Sequence, residues 1–338
     1  MKYYLILFIS ILLFSCKKEE KIEPVKIEKW EMEKPSYFPN PVYNFVNNEQ
    51  TKGRFDLGRK LFYDPLLSID GTVSCATCHS QGHAFAGHNV KISPGVNGLL
   101  GTRNSPSITN LAWYPSFMWD GGVNHIEVFS VAPITNPVEM NETMINVVAK
   151  INANSTYKEL FKTNYGIENV TDQAILRALT QYMAMIVSAD SKYDKYRKGT
   201  ETLSAEESEG LLLFQTKCAS CHQEPLFTNF SYKNNGLDTA FIDKGRGKIT
   251  QNPNDDGKFR VPSLRNVMLT YPYMHDGRFH SIEDVLEHYN SGIKQSYTLN
   301  AELSNGIPLT ENEKAKIITF LNTLTDYSLL NNYELGEH

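Results

Sequence analysis

The chain has 338 residues, of which 41% are hydrophobic and 21% are charged, as is usual for a globular protein. A chain of this length is predicted to form about two domains. Its formal net charge of −5 and its dispersed basic residues exclude a nucleic-acid partner.

The first 15 residues are predicted to be a signal peptide. Lys2 supplies a positive start, and an almost unbroken apolar stretch follows from Tyr3 to Phe14. This stretch is shorter than the roughly 20 apolar residues that a membrane-spanning helix needs.

The apolar stretch ends in Leu13-Phe14-Ser15-Cys16, which resembles a bacterial lipobox. Cys16 is therefore predicted to carry a lipid, and residues 16–40 to form a lipidated tether without a core of their own. The predicted location is the periplasm or cell envelope, with the protein anchored to a membrane. The alternative is a plain signal peptide with an incidental cysteine.

The other four cysteines fall into two identical patterns of the form C-x-x-C-H. Two thiols at this spacing attach a c-type haem, and the adjacent histidine is its proximal iron ligand. Two disulfides or a zinc site are alternatives, but neither requires a histidine directly after each pair. The sequence therefore predicts two covalently bound c-type haems, held by Cys75, Cys78 and His79 and by Cys218, Cys221 and His222.

The sequence also contains an internal duplication, in which one copy follows each C-x-x-C-H motif. Residues 106–110 read Pro-Ser-Ile-Thr-Asn and residues 262–266 read Pro-Ser-Leu-Arg-Asn. Further along, Trp119 and His275 each precede an Asp-Gly pair. The sequence therefore predicts two homologous haem domains, with the first at 41–200 and the second at 201–338.

The fold class is predicted to be mostly α, with two tandem cytochrome c-like haem domains and long irregular loops. Apolar periodicity and capping residues predict the helices. The longest loops are predicted at 80–106 and 223–262, which are rich in Gly, Pro and Asn. The predicted helix starts are Asn141, Ser155, Thr171, Ser204, Ser281 and Thr310.

The duplication also predicts what faces each iron on the side opposite its histidine. Tyr289 lies as far beyond Asp276 as Pro133 lies beyond Asp120. Because proline cannot bind iron, the second haem is predicted to be closed by Tyr289 and the first to be open. Glu139 follows Pro133 and is a candidate acid–base for peroxide in the open pocket. The alternative for Glu139 is a surface residue near the start of the next helix.

Several motifs, in this order, resemble the bacterial di-haem cytochrome c peroxidases, including their MauG-like relatives. The resemblance covers roughly residues 50–325. It is carried by both C-x-x-C-H motifs and by the segments 101–106, 117–121, 133–139, 264–267 and 271–277.

The resemblance implies a role for each part of the chain. The first haem is expected to be peroxidatic, with Glu139 as its acid–base, and the second to accept electrons from a cytochrome c or a copper protein. Trp119 is expected to assist electron transfer between the haems. One calcium ion is expected between the domains, on the Asn104 side chain and the backbone carbonyls of Thr270 and Pro272. A homodimer is a further expectation.

The sequence departs from many family members around the first haem. Val96 stands where a capping histidine is often found, so the first haem is predicted to be open without prior reduction. His83 and His88 lie in the same loop and are alternative caps. Phe129 replaces a glutamine of the distal pocket, which removes a hydrogen-bond donor near peroxide.

A second departure concerns the distal ligand of the second haem. Tyr289 stands where many members carry methionine, and the MauG-like branch has tyrosine there. Met274 and His288 are rival ligands. A phenolate is expected to lower the reduction potential relative to a thioether.

The predicted activity is that of a cytochrome-c peroxidase, which reduces hydrogen peroxide to water with electrons from a small redox protein. One alternative is a MauG-like oxidant that modifies a partner protein, and Tyr289 and Val96 favour that branch. The other alternative is a pure electron-transfer cytochrome, against which Glu139 and Pro133 argue.

Overall fold

The computed structural model describes residues 29–338. The predicted signal peptide, the lipid anchor on Cys16 and the first part of the tether lie outside the described residues. The described part of the chain is mostly helical, with long loops and a two-residue strand pair. No helix within 29–338 has both the length and the apolar character needed to cross a membrane.

Each half of the molecule is built on one pair of packed helices. In the first half α1 (Lys52–Tyr63) packs on α6 (Asp172–Ala184), and in the second α8 (Ala205–Lys217) packs on α11 (Glu311–Asn322). A glycine lies at each crossing. A Cβ on Gly58 would lie 2.0 Å from the Ala178 carbonyl oxygen, and one on Gly210 would lie 2.1 Å from that of Lys316. The two halves therefore repeat the same close helix contact.

The remaining helices are short and border the loops. A π-helical turn at His288–Gly292 directly follows α10 (Ile282–Glu287), and β1 (Tyr232–Lys233) pairs antiparallel with β2 (Phe259–Arg260). The other α-helices are α2 (Cys75–Cys78), α3 (Val131–Thr135), α4 (Met144–Ala153), α5 (Ser155–Tyr165), α7 (Lys192–Arg197), α9 (Arg246–Thr250), α10 (Ile282–Glu287) and α12 (Tyr327–Leu330).

Four helix starts agree with the sequence patterns. Thr171, Ser204, Ser281 and Thr310 cap their helices with side-chain oxygens. Two predicted caps are wrong. Thr143, not Asn141, caps α4, and Asn154, not Ser155, caps α5, because neighbouring residues with equivalent capping oxygens are used instead.

Two hydrophobic cores correspond to the two halves, but three segments cross the predicted boundaries. Tyr193 packs in the second core, whereas Leu329 and Leu335 pack in the first. Division at residue 200 is therefore wrong for α7 and for the C-terminal segment. The tether prediction for 16–40 is also wrong at its end, because Trp30 and Phe38 pack against the first core.

Candidate functional site

The first C-x-x-C-H motif is held in shape by its own short helix. Ser74 caps α2 and forms a reciprocal capping box with Thr77. Cys75 and Cys78 lie one turn apart on this helix as free thiols. Burial raises the pKa of the Cys75 thiol to about 12 and that of Cys78 to about 11.

The second motif follows α8 directly. Cys218 is the C-cap residue of this helix, and its backbone N–H donates to the Phe214 carbonyl. Cys218 and Cys221 are also free thiols. The described residues contain no cluster of three or more His, Cys, Asp or Glu side chains that could hold a metal ion. Neither disulfides nor a zinc cluster of these residues are therefore formed within 29–338.

Both motif histidines have one ring nitrogen fixed by backbone carbonyls. The Nδ1 of His79 lies 3.0 Å from the Phe85 oxygen, and that of His222 lies 3.2 Å from the Phe227 oxygen. Nδ1 therefore carries the proton and Nε2 keeps the lone pair that binds a metal. Burial lowers the pKa of each ring to about 4, so both are neutral at pH 7.

The loops that supply these carbonyls are themselves duplicated. The Ser107 hydroxyl donates to the Ala84 oxygen over 2.7 Å, and the Ser263 hydroxyl donates to the Leu226 oxygen over the same distance. These serines occupy equivalent positions in the repeated sequence. The histidine side of the two sites is thus constructed in the same way.

On the opposite side of the first site, one loop is packed tightly against Glu139. The Val96 N–H donates to the Glu139 carbonyl over 2.8 Å, and Val96 is fully buried. A Cβ on Gly95 would lie 2.2 Å from the Val138 oxygen, so only glycine fits there. The side chain at the expected cap position is therefore an aliphatic group in a fixed loop.

The Glu139 carboxylate belongs to the first site. It lies close enough to Cys78 to raise the pKa of that thiol. Burial raises the pKa of Glu139 itself, and the Asn136 amide, which donates to Glu139 Oε1 over 2.7 Å, lowers it. The Met140 N–H donates to the Pro133 carbonyl over 3.2 Å and so folds Pro133 back toward this segment.

Three further residues of the first site take the following positions. The Phe129 ring packs on Phe117 with centroids 5.2 Å apart. His88 Nε2 lies 3.2 Å from the Ala76 carbonyl oxygen beside the motif helix, and its ring stacks on His83 at 5.6 Å.

Trp119 lies where the two halves meet. Its indole N–H donates to the Asn104 carbonyl over 2.8 Å, and its own carbonyl accepts from the Arg260 N–H over 2.7 Å. Arg246 Nη1 donates to the carbonyls of Asp120 and Gly121 at 3.0 and 3.1 Å. The second half therefore holds the turn that carries this tryptophan.

Tyr289 lies on the π-helical turn of the second half. Burial, together with a smaller contribution from the two nearby cysteines of the second motif, raises the pKa of its hydroxyl to about 12. The Asn235 side chain has the opposite effect and lowers this pKa. π-Helical turns are frequent at functional sites. The phenol thus belongs to the second C-x-x-C-H site.

Comparisons with known proteins agree with this geometry. A family profile described as di-haem cytochrome c peroxidase matches residues 52–202. Methylamine utilization protein MauG of Methylorubrum extorquens is 35% identical over 298 residues, covering 86% of this chain and 82% of the relative. Cytochrome c551 peroxidase of Nitrosomonas europaea is 34% identical over 276 residues, covering 80% and 79%. The chain belongs to the di-haem cytochrome c peroxidase family.

A solved structure agrees at the level of fold. The crystal structure of a MauG-like protein associated with microbial copper homeostasis superposes with a TM-score of 0.83 at 31% identity, covering 91% of this chain and 99% of that chain. The predicted fold class, mostly α with two cytochrome c-like domains, is confirmed.

The residues of this family member fit two haems. Each motif offers two free thiols and a neutral histidine with an available Nε2. Arg260 is 5% exposed, and its Nη1 has no hydrogen-bond partner among the described residues. A buried guanidinium needs an anion nearby, and the propionates of a haem are carboxylates.

A backbone hydrogen bond joins the segments that carry the residues expected to bind calcium. The Asn104 N–H donates to the His275 carbonyl over 2.7 Å, which joins Asn104 to the segment that contains Thr270 and Pro272. Within 29–338, no recorded hydrogen bond ends on Asn104 Oδ1 or on the carbonyl oxygens of Thr270 and Pro272. Such a set of oxygens suits a hard cation.

Sequence reasoning missed the residues that join the two halves. Arg103 donates to Asp120 over 2.6 Å and to Asp243 over 2.7 and 2.8 Å. Arg260 and Asn235 lie within the loop 223–262, where no periodicity is present. A polar or charged residue in such a loop gives no sequence signal that it is buried. Only the tertiary structure therefore reveals the contacts of Arg260 and Asn235.

Proposed function

We propose that this protein reduces hydrogen peroxide to water with electrons from a small redox protein, a cytochrome c or a copper protein. The observation that supports this proposal best is the buried Glu139 beside Cys78, with the aliphatic Val96 in the adjacent loop. A pocket with a carboxylate and no competing ligand suits peroxide better than it suits electron transfer alone.

The two haems supply peroxide binding at the first site and electron storage at the second. Cys75, Cys78 and His79 would hold the first haem, and Cys218, Cys221 and His222 the second, with Tyr289 as its distal ligand. Trp119 lies at the domain interface, where it would assist electron transfer between them.

Glu139 performs the proton transfer in this proposal. Its free Oε2 accepts a proton from the inner oxygen of peroxide and returns it to the outer oxygen, which leaves as water. The overall reaction consumes two electrons and two protons per peroxide and yields two waters. The Asn136 amide holds Oε1 and so directs the other oxygen toward the pocket.

A second candidate function is oxidation of residues on a partner protein. Tyr289 and Val96 favour it, because they match the MauG-like branch. The test is peroxide consumption by the oxidised protein with and without a reduced cytochrome c. Rapid catalytic turnover that depends on the reduced donor supports the peroxidase. Reaction of one equivalent of peroxide, without turnover when the donor is added, favours the partner-modifying oxidant.

We further propose a calcium ion on Asn104, Thr270 and Pro272, a homodimer, and an envelope location through a lipid on Cys16. Metal analysis of the purified protein and sedimentation test the first two. Mass spectrometry of the mature N-terminus tests the third, because a Cys16→Ser variant should lose the lipid and its membrane association.

A further inference from the structure

Three side chains able to bind haem iron lie close together in the second half. They are a phenol, a thioether and an imidazole, and each is a known axial ligand class. His288 and Tyr289 are adjacent, with ring centroids 5.3 Å apart. A haem held by His222 would take one further iron ligand from the protein, and three side chains could supply it: Tyr289, Met274 and His288.

Asn235 contacts both rivals of Tyr289. Its Nδ2 donates to the Met274 sulfur over 3.3 Å, and its backbone carbonyl accepts from His288 Nε2 over 2.9 Å. A single residue therefore holds the thioether and the imidazole.

These contacts make both rivals less available to iron. A proton on His288 Nε2 removes the lone pair that would bind iron, and the other ring nitrogen of His288 faces Gly292, where a Cβ would lie 3.2 Å away. The Asn235 amide holds the Met274 sulfur by donating a hydrogen bond to it. Tyr289 is then the candidate left to bind the iron.

We propose that Asn235 is the positioning residue that selects Tyr289 over Met274 and His288 as the distal ligand of the second haem. This inference rests on the proposed role of the second haem, but not on peroxide turnover.

The backbone around Asn235 is fixed, as such a role requires. Asn234 Nδ2 donates to Ser296 and Thr298, both over 2.9 Å. The Gly236 N–H donates to Asn234 Oδ1 over 2.9 Å, and the Lys294 N–H donates to the Gly236 carbonyl over 2.8 Å. The residues on both sides of Asn235 are thus held by the adjoining loop.

The test is an Asn235→Leu substitution in the full-length protein with both haems, read by absorption and electron paramagnetic resonance of the oxidised form. We expect the tyrosinate signature of the second haem to be lost. The near-infrared charge-transfer band of a thioether ligand should appear, and the reduction potential of that haem should rise. The imidazole should not replace it, because its bond is to the backbone carbonyl, which the substitution retains.

Two controls make the result specific. Met274→Leu alone should leave the spectrum unchanged, and combined with Asn235→Leu it should abolish the thioether band. If Asn235→Leu does not fold, Asn235→Asp gives the same test, because it has the same shape and no amide donor. A tyrosinate spectrum and potential unchanged in a folded Asn235 variant would overturn the proposal.

The premise that Tyr289 is the distal ligand of the second haem is tested separately by Tyr289→Phe. If that spectrum equals the wild type, tyrosine is not the ligand and the selection proposal is overturned with it. Peroxide turnover is measured on the unmodified protein, so loss of the proposed function would be recognised independently of the ligand spectra.

Discussion

The histidine sides of the two sites are nearly identical, whereas their opposite sides differ in kind. His79 and His222 are fixed by equivalent carbonyls, and Ser107 and Ser263 make the same bond over 2.7 Å. Opposite them, the first site presents aliphatic and aromatic groups with one carboxylate. The second presents three potential iron ligands. In a duplicated fold of this kind, we expect the function of each haem to be determined mainly by its distal residues.

The largest expected effect comes from neutralising Glu139, the carboxylate proposed to transfer the proton at the first site. Glu139→Gln should lower the rate of peroxide reduction by about 10²- to 10⁴-fold, because general acid–base catalysis contributes that much. Stopped-flow kinetics measures the rate, and resting haem spectra should not change. The exposed Glu168→Gln serves as the control and should retain wild-type turnover. Full activity in Glu139→Gln would contradict the proposal that Glu139 makes the first haem site catalytic and the second one a site of electron transfer.

The next prediction concerns a variant in which the first site gains a distal iron ligand and so resembles the second site. The oxidised wild-type protein should react with peroxide without prior reduction, because Val96 cannot bind iron. Val96→His should convert the first haem to a low-spin form that reacts only after partial reduction. Electron paramagnetic resonance distinguishes the low-spin first haem from the open one, and peroxide titration shows which form reacts without prior reduction. Val96→Leu is the matched control and should react like the wild type, and a low-spin bis-histidine signal in the oxidised wild type would contradict the prediction.

A third prediction concerns a difference between the repeats outside the haem sites. Arg265 in the second copy matches Thr109 in the first, and it forms a fully buried ion pair with Asp194 at 2.9 Å. Burial lowers the pKa of the guanidinium, but the adjacent carboxylate raises it more, so the net shift is upward. Arg265→Ala leaves Asp194 buried without its partner and should cost about 3–5 kcal/mol of stability.

Chemical denaturation of the holo-protein measures that cost. Lys162→Ala, which removes an exposed ion pair with Glu168, is the control and should show little change. An equally small effect of Arg265→Ala would mean that the second half does not depend on this pair.

The sequence was sufficient for the residues whose chemistry requires a fixed local spacing. Covalent haem attachment needs two thiols and a histidine within one helical turn, so Cys75, Cys78 and His79 can be recognised without a structure. The duplication also predicts Tyr289 as the distal ligand of the second haem, and the family resemblance predicts an electron-transfer role for Trp119; both stay predictions. Asn235 and Arg260 could not be predicted, because their roles depend on contacts between distant segments. Similarly, Asn141 and Thr143 have equivalent capping chemistry, and only packing decides between them.

The smallest expected effect comes from changing Asn136. It shows whether the Asn136 amide acts on the orientation of the Glu139 carboxylate or on its pKa. Burial raises the pKa of this carboxyl, and the Asn136 amide lowers it by stabilising the anion. Asn136→Ala should therefore raise the pKa further. Because the base must be deprotonated, the acid side of the rate–pH profile should move to higher pH, while the rate on the alkaline plateau changes little.

Asn136→Asp is the matched variant for that profile, since a second carboxylate beside Glu139 should move the acid limb in the same direction. The exposed Asn331→Ala should leave the profile unchanged. A uniform loss of rate at every pH in Asn136→Ala would show instead that the amide mainly orients the carboxylate. The first distal side would then depend on geometry, as the second depends on the contacts of Asn235, rather than on the tuning of one acid.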